Sequence, residues 1–518
     1  MSKTHTLLLL FFILAVALVL RFAAFDHPLA QNAGEGLRDL FVAQHALMYG
    51  EWPLGGHHNG LSTVENSPLY YYIVIFFTLL GSTFLGIGTL YLLFQCAFIA
   101  LVFFFTRKLF NTNAALIAAA LLAVSPHYVV SVAGDFLWPP YFAAPFVVAS
   151  LFALWHGYTY KKKIFTVASP ILMLLALAIH QSTIAFIPLY AFATLYVAYK
   201  NTFSIKEYVV AGVSFLIVLL VLFIPPLSVA NFSETLWGVR IDSEQNITSL
   251  EGIYQTIVSV PYAFGVQANT SDVYAELATM LLIILGLWFF SSRLVDRRQK
   301  QLTLFLVALL LSVVIVAIVF DPTGIPRHFE PMLWSVPVVL GVIMSAPFGR
   351  SLFMSLLSTV ALGLLLFASL SDSRLTEVYQ NIGAFDRPHY QYVQDASTAL
   401  EHEVRLLKSD YEFEDYTFFN IETYGGTHFR VSDYMFWLEL EKRLGVQLEK
   451  SPNSVVGGFQ SQHSDHYMFF VCLKHQRDYT RERCRNDFIT RTPTHTIEKN
   501  VFESEEVTIF LAKENIAI

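Results

Sequence analysis

Long apolar runs, separated by short polar segments, organise the first 370 residues of the chain. Eleven of these runs approach or reach the roughly 20 residues that a transmembrane helix needs. They lie at about 6–24, 87–105, 114–131, 141–158, 164–183, 185–199, 209–228, 275–290, 302–320, 331–348 and 351–370. The pattern therefore predicts an α-helical polytopic membrane protein with about eleven transmembrane helices.

The apolar runs stop near Ser371, where the density of charged residues rises. Residues 1–370 contain 33 charged side chains, whereas residues 371–518 contain 40. The later part has amphipathic helical patterns at Asp395–Lys408 and Val431–Leu444, and strand patterns at Tyr416–Ile421, Tyr467–Leu473 and Val507–Ala512. We therefore expect a transmembrane domain, 1–370, followed by a small soluble α/β domain, 371–518.

The overall composition agrees with a membrane protein. Hydrophobic residues make up 55% of the chain, charged residues only 14%, and the mean hydropathy is +0.52. About a quarter of the residues would be charged in a soluble enzyme, so that class is excluded. The net charge of −7 argues against a nucleic-acid partner, because nucleic acids are bound by basic surfaces.

The distribution of basic residues predicts the orientation in the membrane. With the N-terminus in the cytoplasm and eleven crossings, 13 of the 17 basic residues before 371 fall in inner loops, as the positive-inside rule requires. Arg21 is then counted with the outer face. The soluble C-terminal domain is predicted outside the plasma membrane, which is the periplasmic side of a bacterial inner membrane.

A twelfth apolar segment, 68–84, begins with Tyr70, Tyr71 and Tyr72. If it crossed the membrane, every later loop would change sides and the positive-inside bias would be lost. Tyrosine is also enriched where the bilayer meets water. We therefore expect 68–84 to dip into the membrane or to lie at its outer surface.

The first outer loop, 25–67, is too long to be a plain connection. Apolar residues recur at helical spacing over 37–47, which predicts an interfacial helix. Glu35, Arg38 and Asp39 are spaced i, i+3 and i+4, so they share one face of that helix. Either these charges simply face water, or a carboxylate acts as a base beside an arginine that binds phosphate.

Other outer segments carry isolated polar residues. Asp135 has no other charged residue within 25 positions on either side, and it would either cap the helix that follows or take part in chemistry. His180 ends a predicted span, where it would be a buried histidine with one hydrogen bond or a substrate contact. Arg327 and His328 lie in a polar turn, and Arg327 would bind phosphate or anchor the chain at the interface.

Three motifs follow one another in the first outer loop: Glu35-Gly-Leu-Arg38, Gly50-Glu-Trp-Pro53 and Ser67-Pro-Leu-Tyr-Tyr71. Their order and spacing resemble the lipid-phosphate-sugar-dependent glycosyltransferases of the C-type superfamily. The series is most similar to the branch that contains protein O-mannosyltransferases, the lipid A aminoarabinose transferase and bacterial mannosyltransferase-like homologues. Three further segments are similar to motifs of this branch: Arg38-Asp39-Leu40, Trp138-Pro139 and Arg327-His-Phe-Glu-Pro331.

The resemblance implies an enzyme that transfers a sugar from a polyprenyl-phosphate-linked donor to an acceptor hydroxyl at the outer face, with inversion at the anomeric carbon. Glu35 would act as the base, with Asp39 and Asp135 as the next candidates. Arg38 and Arg327 would bind the donor phosphate and stabilise the leaving group. The acceptor would be a lipid, a glycan or a protein.

Further contacts to donor or acceptor are assigned to His57, His58, Glu65, Tyr70, His180 and His328. No metal ligand is assigned, although the two adjacent histidines could hold a divalent cation together with a nearby glutamate. The sequence departs from the branch at Glu35, where an aspartate is usual, and at Ser67, where a phosphate-binding lysine or a glycine is common. It departs again at Gly134-Asp135, which replaces a usual Ser-Arg.

Two other functional classes are alternatives for a chain of this kind. A lipid-linked glycan flippase or transporter would carry charges and broken helices near the middle of the bilayer. A glycan polymerase or ligase would take a polyprenyl-diphosphate-linked oligosaccharide as its donor. The polar residues of the chain gather on one predicted side, which favours chemistry at one face over alternating access.

Overall fold

The computed structural model of the chain describes residues 2–25, 34–50, 52–54, 67–81, 84–131, 137–180, 183, 187–229, 273–292, 296–297, 299–308, 330–372, 375, 390–411, 419–424, 443, 458–459, 467–473, 485–486, 495–503 and 507–514. The helices are α1 (Lys3–Phe25), α2 (Gly34–Tyr49), α3 (Leu69–Gly81), α4 (Phe84–Leu109), α5 (Thr112–Val124), α6 (Pro139–Tyr160), α7 (Lys163–Ile179), α8 (Ile187–Lys200), α9 (Ile205–Val229), α10 (Val273–Ser291), α11 (Glu330–Leu333), α12 (Ser335–Ser345), α13 (Leu352–Leu370) and α14 (Tyr390–Tyr411). A π-helical turn, His127–Ser131, follows α5.

Four helical segments of the described chain are long and apolar enough to cross a membrane: Lys3–Phe25, Gly86–Leu109, Pro139–Tyr160 and Leu352–Leu370. The first three contain a predicted span, and Leu352–Leu370 covers the predicted span 351–370 except for its first residue, so helix formation is confirmed at these four places. Shorter apolar helices occupy several of the other predicted spans. The number of eleven crossings and their orientation stay predictions.

Helix α3 corresponds to the apolar segment 68–84. Its 13 residues give a length of about 20 Å, which is shorter than the roughly 30 Å hydrocarbon core of a bilayer. The expectation that the segment does not cross stays a prediction.

A cluster of aromatic rings joins α3, α4 and α6. The ring centroid of Phe142 lies 5.0 Å from that of Phe94 and 5.6 Å from those of Phe77 and Tyr91. Phe142 is fully buried. Rings in offset and edge-to-face contact at these distances pack densely without a polar partner, so they hold the three helices together.

Helices α5 and α12 approach each other closely because Gly341 has no side chain. A Cβ atom at this position would lie 2.5 Å from the carbonyl oxygen of Ala114. Asn111 stabilises the same contact from the start of α5. Its Oδ1 accepts from the Ala114 N–H at 2.8 Å, and its Nδ2 donates to Ser345 Oγ at 3.3 Å.

Arg21 lies near the C-terminal end of α1, and its side chain is only 1% exposed. Its assignment to the outer face stays a prediction. Its guanidinium donates to the carbonyl oxygens of Ala17, Leu122 and Ala123 at 3.1–3.2 Å. Two of these acceptors belong to the last turn of α5, where helix carbonyls need outside donors. Arg21 therefore joins the end of α1 to the end of α5.

The C-terminal part contains α14 and a sheet of five strands: β1 (Phe419–Tyr424), β2 (Gly458–Phe459), β3 (Tyr467–Leu473), β4 (His495–Glu503) and β5 (Val507–Glu514). Their order is β2-β1-β3-β5-β4, with β1 and β3 parallel and the other pairs antiparallel. The predicted strand Tyr467–Leu473 is confirmed, and the strands predicted near β1 and β5 overlap those elements. The predicted helix Val431–Leu444 lies almost entirely outside the described residues.

The chain divides into two compact units, of which the first contains Met1–Phe25, Tyr49–Ala133 and Leu137–Ile382, and the second contains Asp26–Met48, Gly134–Phe136 and Gly383–Ile518. The expected domain boundary at residue 370 stays a prediction.

Candidate functional site

Helix α2 carries the predicted catalytic motif. It begins at Gly34 and therefore includes the backbone of Glu35, Arg38 and Asp39, which confirms the helix expected in the first outer loop. Their i, i+3 and i+4 spacing places the three residues on one face. The side chains of Glu35 and Arg38 lie outside the described part of the structure.

Asp39 does not face water, because its side chain is fully buried. Leu40, Ala43 and Ala46 are also buried on this helix. The interpretation in which all three charges of α2 are merely solvated is therefore wrong for Asp39. A buried carboxylate is costly unless it is hydrogen-bonded or paired, so a specific role for this residue is favoured over a solvating one.

The end of the first loop is tied to the segment that contains Trp52. Ser67 is buried, and its Oγ accepts from the N–H of Leu69 at 3.3 Å, which caps the start of α3. The hydroxyl of Tyr72 donates to the carbonyl oxygen of Pro53 at 3.0 Å. The rings of Trp52 and Tyr72 lie 6.3 Å apart. The motifs Gly50-Glu-Trp-Pro53 and Ser67-Pro-Leu-Tyr-Tyr71 thus meet at the N-terminal end of α3.

Tyr70 links the first loop to the loop before α6. Its side chain is 1% exposed, and its hydroxyl donates to the carbonyl oxygen of Leu137. Leu137 has a φ of 57°, a left-handed conformation that costs a residue with a side chain about 1–2 kcal/mol. Strained backbone of this kind is kept only where the surroundings enforce it. Tyr70 is assigned from the sequence as a substrate contact, but its hydroxyl here bonds to the protein itself.

Trp138 and His180 lie at the same end of the helices as Tyr70. The ring of Trp138 lies 6.2 Å from that of His180 and 5.3 Å from that of Tyr141. His180 is 8% exposed and ends α7, where its N–H donates to the carbonyl oxygen of Ala176 at 3.0 Å. Tyr70, Trp138 and His180 come from three loops that the sequence places on the same side, and the structure brings these loops together at one end of the helices.

Several predicted site residues lie outside the described residues: His57, His58, Glu65, Asp135, Arg327 and His328. Within the residues that the structure describes, no group of three or more His, Cys, Asp or Glu side chains could hold a metal ion. No feature of the sequence signals the role of Leu137, because it acts through a backbone carbonyl. Pro139, directly after Trp138, does signal the start of α6.

Tyr70→Phe is expected to lower the thermal stability of the protein. The change leaves the buried Leu137 carbonyl without its donor, at a cost of about 1–3 kcal/mol. Tyr72→Phe is the matched control, since it removes the same group from a side chain that is 40% exposed. Thermal unfolding of both variants in one detergent measures the difference. Equal shifts for the two variants would contradict the link between the loops.

Two solved structures resemble the chain over nearly its whole length. ArnT from Cupriavidus metallidurans bound to undecaprenyl phosphate aligns with a TM-score of 0.56 and 11% sequence identity, covering 98% of each chain. The apo state of the same protein aligns with a TM-score of 0.55 and 13% identity, again over 98% of each chain. The chain has the fold of ArnT.

ArnT, the lipid A aminoarabinose transferase, is a C-type glycosyltransferase. The resemblance that the motifs of the first outer loop suggest is therefore confirmed at the level of the fold. Together with the four helices of spanning length, this fold makes the chain a membrane protein. No protein-family model matches the sequence, and a search of curated protein sequences finds no match.

Proposed function

We propose that the protein transfers a sugar from a polyprenyl-phosphate-linked donor to an acceptor hydroxyl at the outer face of the plasma membrane. The observation that carries the proposal is the full-length similarity to ArnT, whose solved structure holds undecaprenyl phosphate. The motif Glu35-Gly-Leu-Arg38 supports it, because it lies at the start of α2, directly after the first span-length helix.

In the proposed reaction, Glu35 accepts the proton of the acceptor hydroxyl as its oxygen attacks the anomeric carbon of the sugar. The bond between that carbon and the phosphate oxygen of the donor breaks, and the configuration inverts. Arg38 and Arg327 bind the phosphate and stabilise the charge that develops on it. The products are the glycosylated acceptor and a free polyprenyl phosphate.

The remaining predicted residues complete the proposed site. Asp39, buried one residue after Arg38, is a candidate to orient the arginine or to replace Glu35 as base. Asp135 is the other alternative base. The contacts assigned to donor or acceptor are His57, His58, Glu65, His180 and His328.

The buried charge of Arg21 is relevant to the alternative function, a lipid-linked glycan flippase or transporter. Charges inside the membrane often mark a transport path. This buried guanidinium donates to backbone carbonyls of α1 and α5, which is a structural use of the charge. Transfer at one face therefore remains the better-supported function.

The test uses purified protein in nanodiscs with radiolabelled undecaprenyl-phosphate sugars. We expect the label to move to a hydroxyl acceptor or to water, with release of undecaprenyl phosphate in equal amount. Consumption of a diphosphate-linked oligosaccharide alone would favour the polymerase or ligase. Movement of intact donor between leaflets, without its consumption, would favour the flippase.

A further inference from the structure

The ends of α4, α6 and α8 meet at the end of the helices opposite to Tyr70 and His180, and we call this region the basic end. Lys108, at the end of α4, lies over the ring of Tyr160 at the end of α6, 5.5 Å from its centroid. The Nδ2 of Asn201, directly after α8, donates to the carbonyl oxygen of Gly157 in α6 at 2.9 Å. These contacts fix the basic end as one surface of the first compact unit.

The basic end has a large excess of positive charge. Residues 107–112, 158–166 and 199–208 contain one acidic residue, Glu207. They contain seven basic residues: Arg107, Lys108, Lys161, Lys162, Lys163, Lys200 and Lys206. An anion is therefore the partner that this surface suits.

The one carboxylate neutralises one particular lysine. Lys163 Nζ lies 2.7 Å from an oxygen of Glu207, and Ser204 donates to the same carboxylate through its N–H and hydroxyl. Lys163 above all, and then Ser204, lower the pKa of Glu207 to about 2. The carboxylate therefore stays charged at neutral pH and keeps its partner occupied.

Lys161 and Lys162 differ from Lys163 in having no partner for their ammonium groups among the described residues. Both are exposed, and neither side chain makes a hydrogen bond or ion pair with any residue that the structure describes. They form the tight turn between α6 and α7, and Lys161 has a φ of 52°, the left-handed conformation that ends α6. Two adjacent ammonium groups are thus presented at the end of a helical hairpin.

Exposed aromatic side chains lie in the segments that form the basic end. Tyr160 is 47% exposed and Tyr199 is 72% exposed, and Lys200 lies 5.8 Å from the ring centroid of Tyr199. Lys163 lies in the same way over the ring of Phe203. Tyrosine rings and lysine side chains with apolar stems are typical of the level at which lipid headgroups lie.

We propose that the basic end binds the headgroup of an anionic phospholipid, with the phosphate held by Lys161 and Lys162. The charge excess supplies the attraction, and the exposed rings place the two lysines at the depth of the headgroup. The neutralised Lys163 takes no part. The basic end contains none of the residues that we assign to the proposed sugar transfer, so this binding is independent of it.

The experiment measures binding of phosphatidylglycerol to the full-length protein in phosphatidylcholine nanodiscs, with a fluorescent phosphatidylglycerol as the probe. We expect wild type to prefer this lipid to a fluorescent phosphatidylcholine. Removing both charges in K161Q/K162Q is expected to weaken phosphatidylglycerol binding about 25-fold, at roughly five-fold for each lysine near the membrane surface. Binding of phosphatidylcholine should not change.

Two control variants make the result specific. K163Q/E207Q removes a neutral pair and is expected to bind phosphatidylglycerol as wild type does. K161R/K162R keeps the charges and should also bind it, which separates loss of charge from damage to the turn. Equal binding by wild type and K161Q/K162Q would overturn the proposal, as would equal loss in K163Q/E207Q or the absence of any preference in wild type.

Discussion

Glu35→Gln is expected to abolish sugar transfer while the protein stays folded. Glutamine has nearly the same size as glutamate, but its amide cannot accept the proton of the acceptor hydroxyl. A general base contributes about 10²–10⁴-fold to a reaction rate, so turnover should fall by a factor in this range. The measurement is the release of undecaprenyl phosphate from a radiolabelled donor, together with a separate measurement of donor binding, which should be retained.

Glu35→Asp is the matched variant for this experiment. An aspartate keeps the carboxylate, and the resemblance to the C-type branch indicates that aspartate is usual at this position. We therefore expect Glu35→Asp to retain much of the turnover that Glu35→Gln loses. Unchanged turnover in Glu35→Gln would keep the proposed activity but move the base to Asp39 or Asp135.

Helices with a clear periodic pattern can be predicted from the sequence, because that pattern reflects what their faces contact. In α2, apolar residues recur every three or four positions, and the structure buries Leu40, Ala43 and Ala46. The strand Tyr467–Leu473 is predicted with the same bounds that the structure gives it, since it is short, apolar and rich in aromatic residues.

The strand β4 could not be predicted in this way. Its residues, His495–Glu503, do not alternate between polar and apolar, and its pairing with β5 shifts register between Ile497 and Lys499 and again between Asn500 and Phe502. Each irregularity changes which face the following side chains take. The two-residue strand β2 is too short to leave any pattern.

The candidate site is predicted less completely than the fold, because contacts between distant segments leave no local pattern. Tyr70 is a motif residue in the sequence, but its partner is a backbone carbonyl 67 positions later. A carbonyl is present at every position and cannot be recognised from residue type. The partners of Arg21 could not be predicted for the same reason, since its acceptors in α5 follow it by about 100 residues.

Arg21→Met is expected to lower the free energy of unfolding by about 2–4 kcal/mol. Hydrogen bonds to charged groups contribute about 1.5–3 kcal/mol each, and the variant loses those of the guanidinium. It also removes the desolvation cost of the buried charge, which offsets part of the loss. The hydrogen bonds that the protein can least replace are those at the end of α5. The carbonyl of Leu122 would normally accept from the N–H four residues later, but that residue is Pro126, which has none. Arg21 supplies the missing donor from another helix.

Arg21→Lys tests whether a positive charge at this position is sufficient or whether the planar set of guanidinium donors is required. A lysine keeps the positive charge, but its single ammonium group cannot span three carbonyl oxygens as a planar guanidinium does. We expect its unfolding temperature to lie between those of wild type and Arg21→Met in the same detergent. An unfolding temperature for Arg21→Met at or above that of wild type would show that the cost of burying the charge exceeds the value of its bonds. The end of α5 would then be held by the packing of α1 alone, and the turn His127–Ser131 that follows would not depend on Arg21.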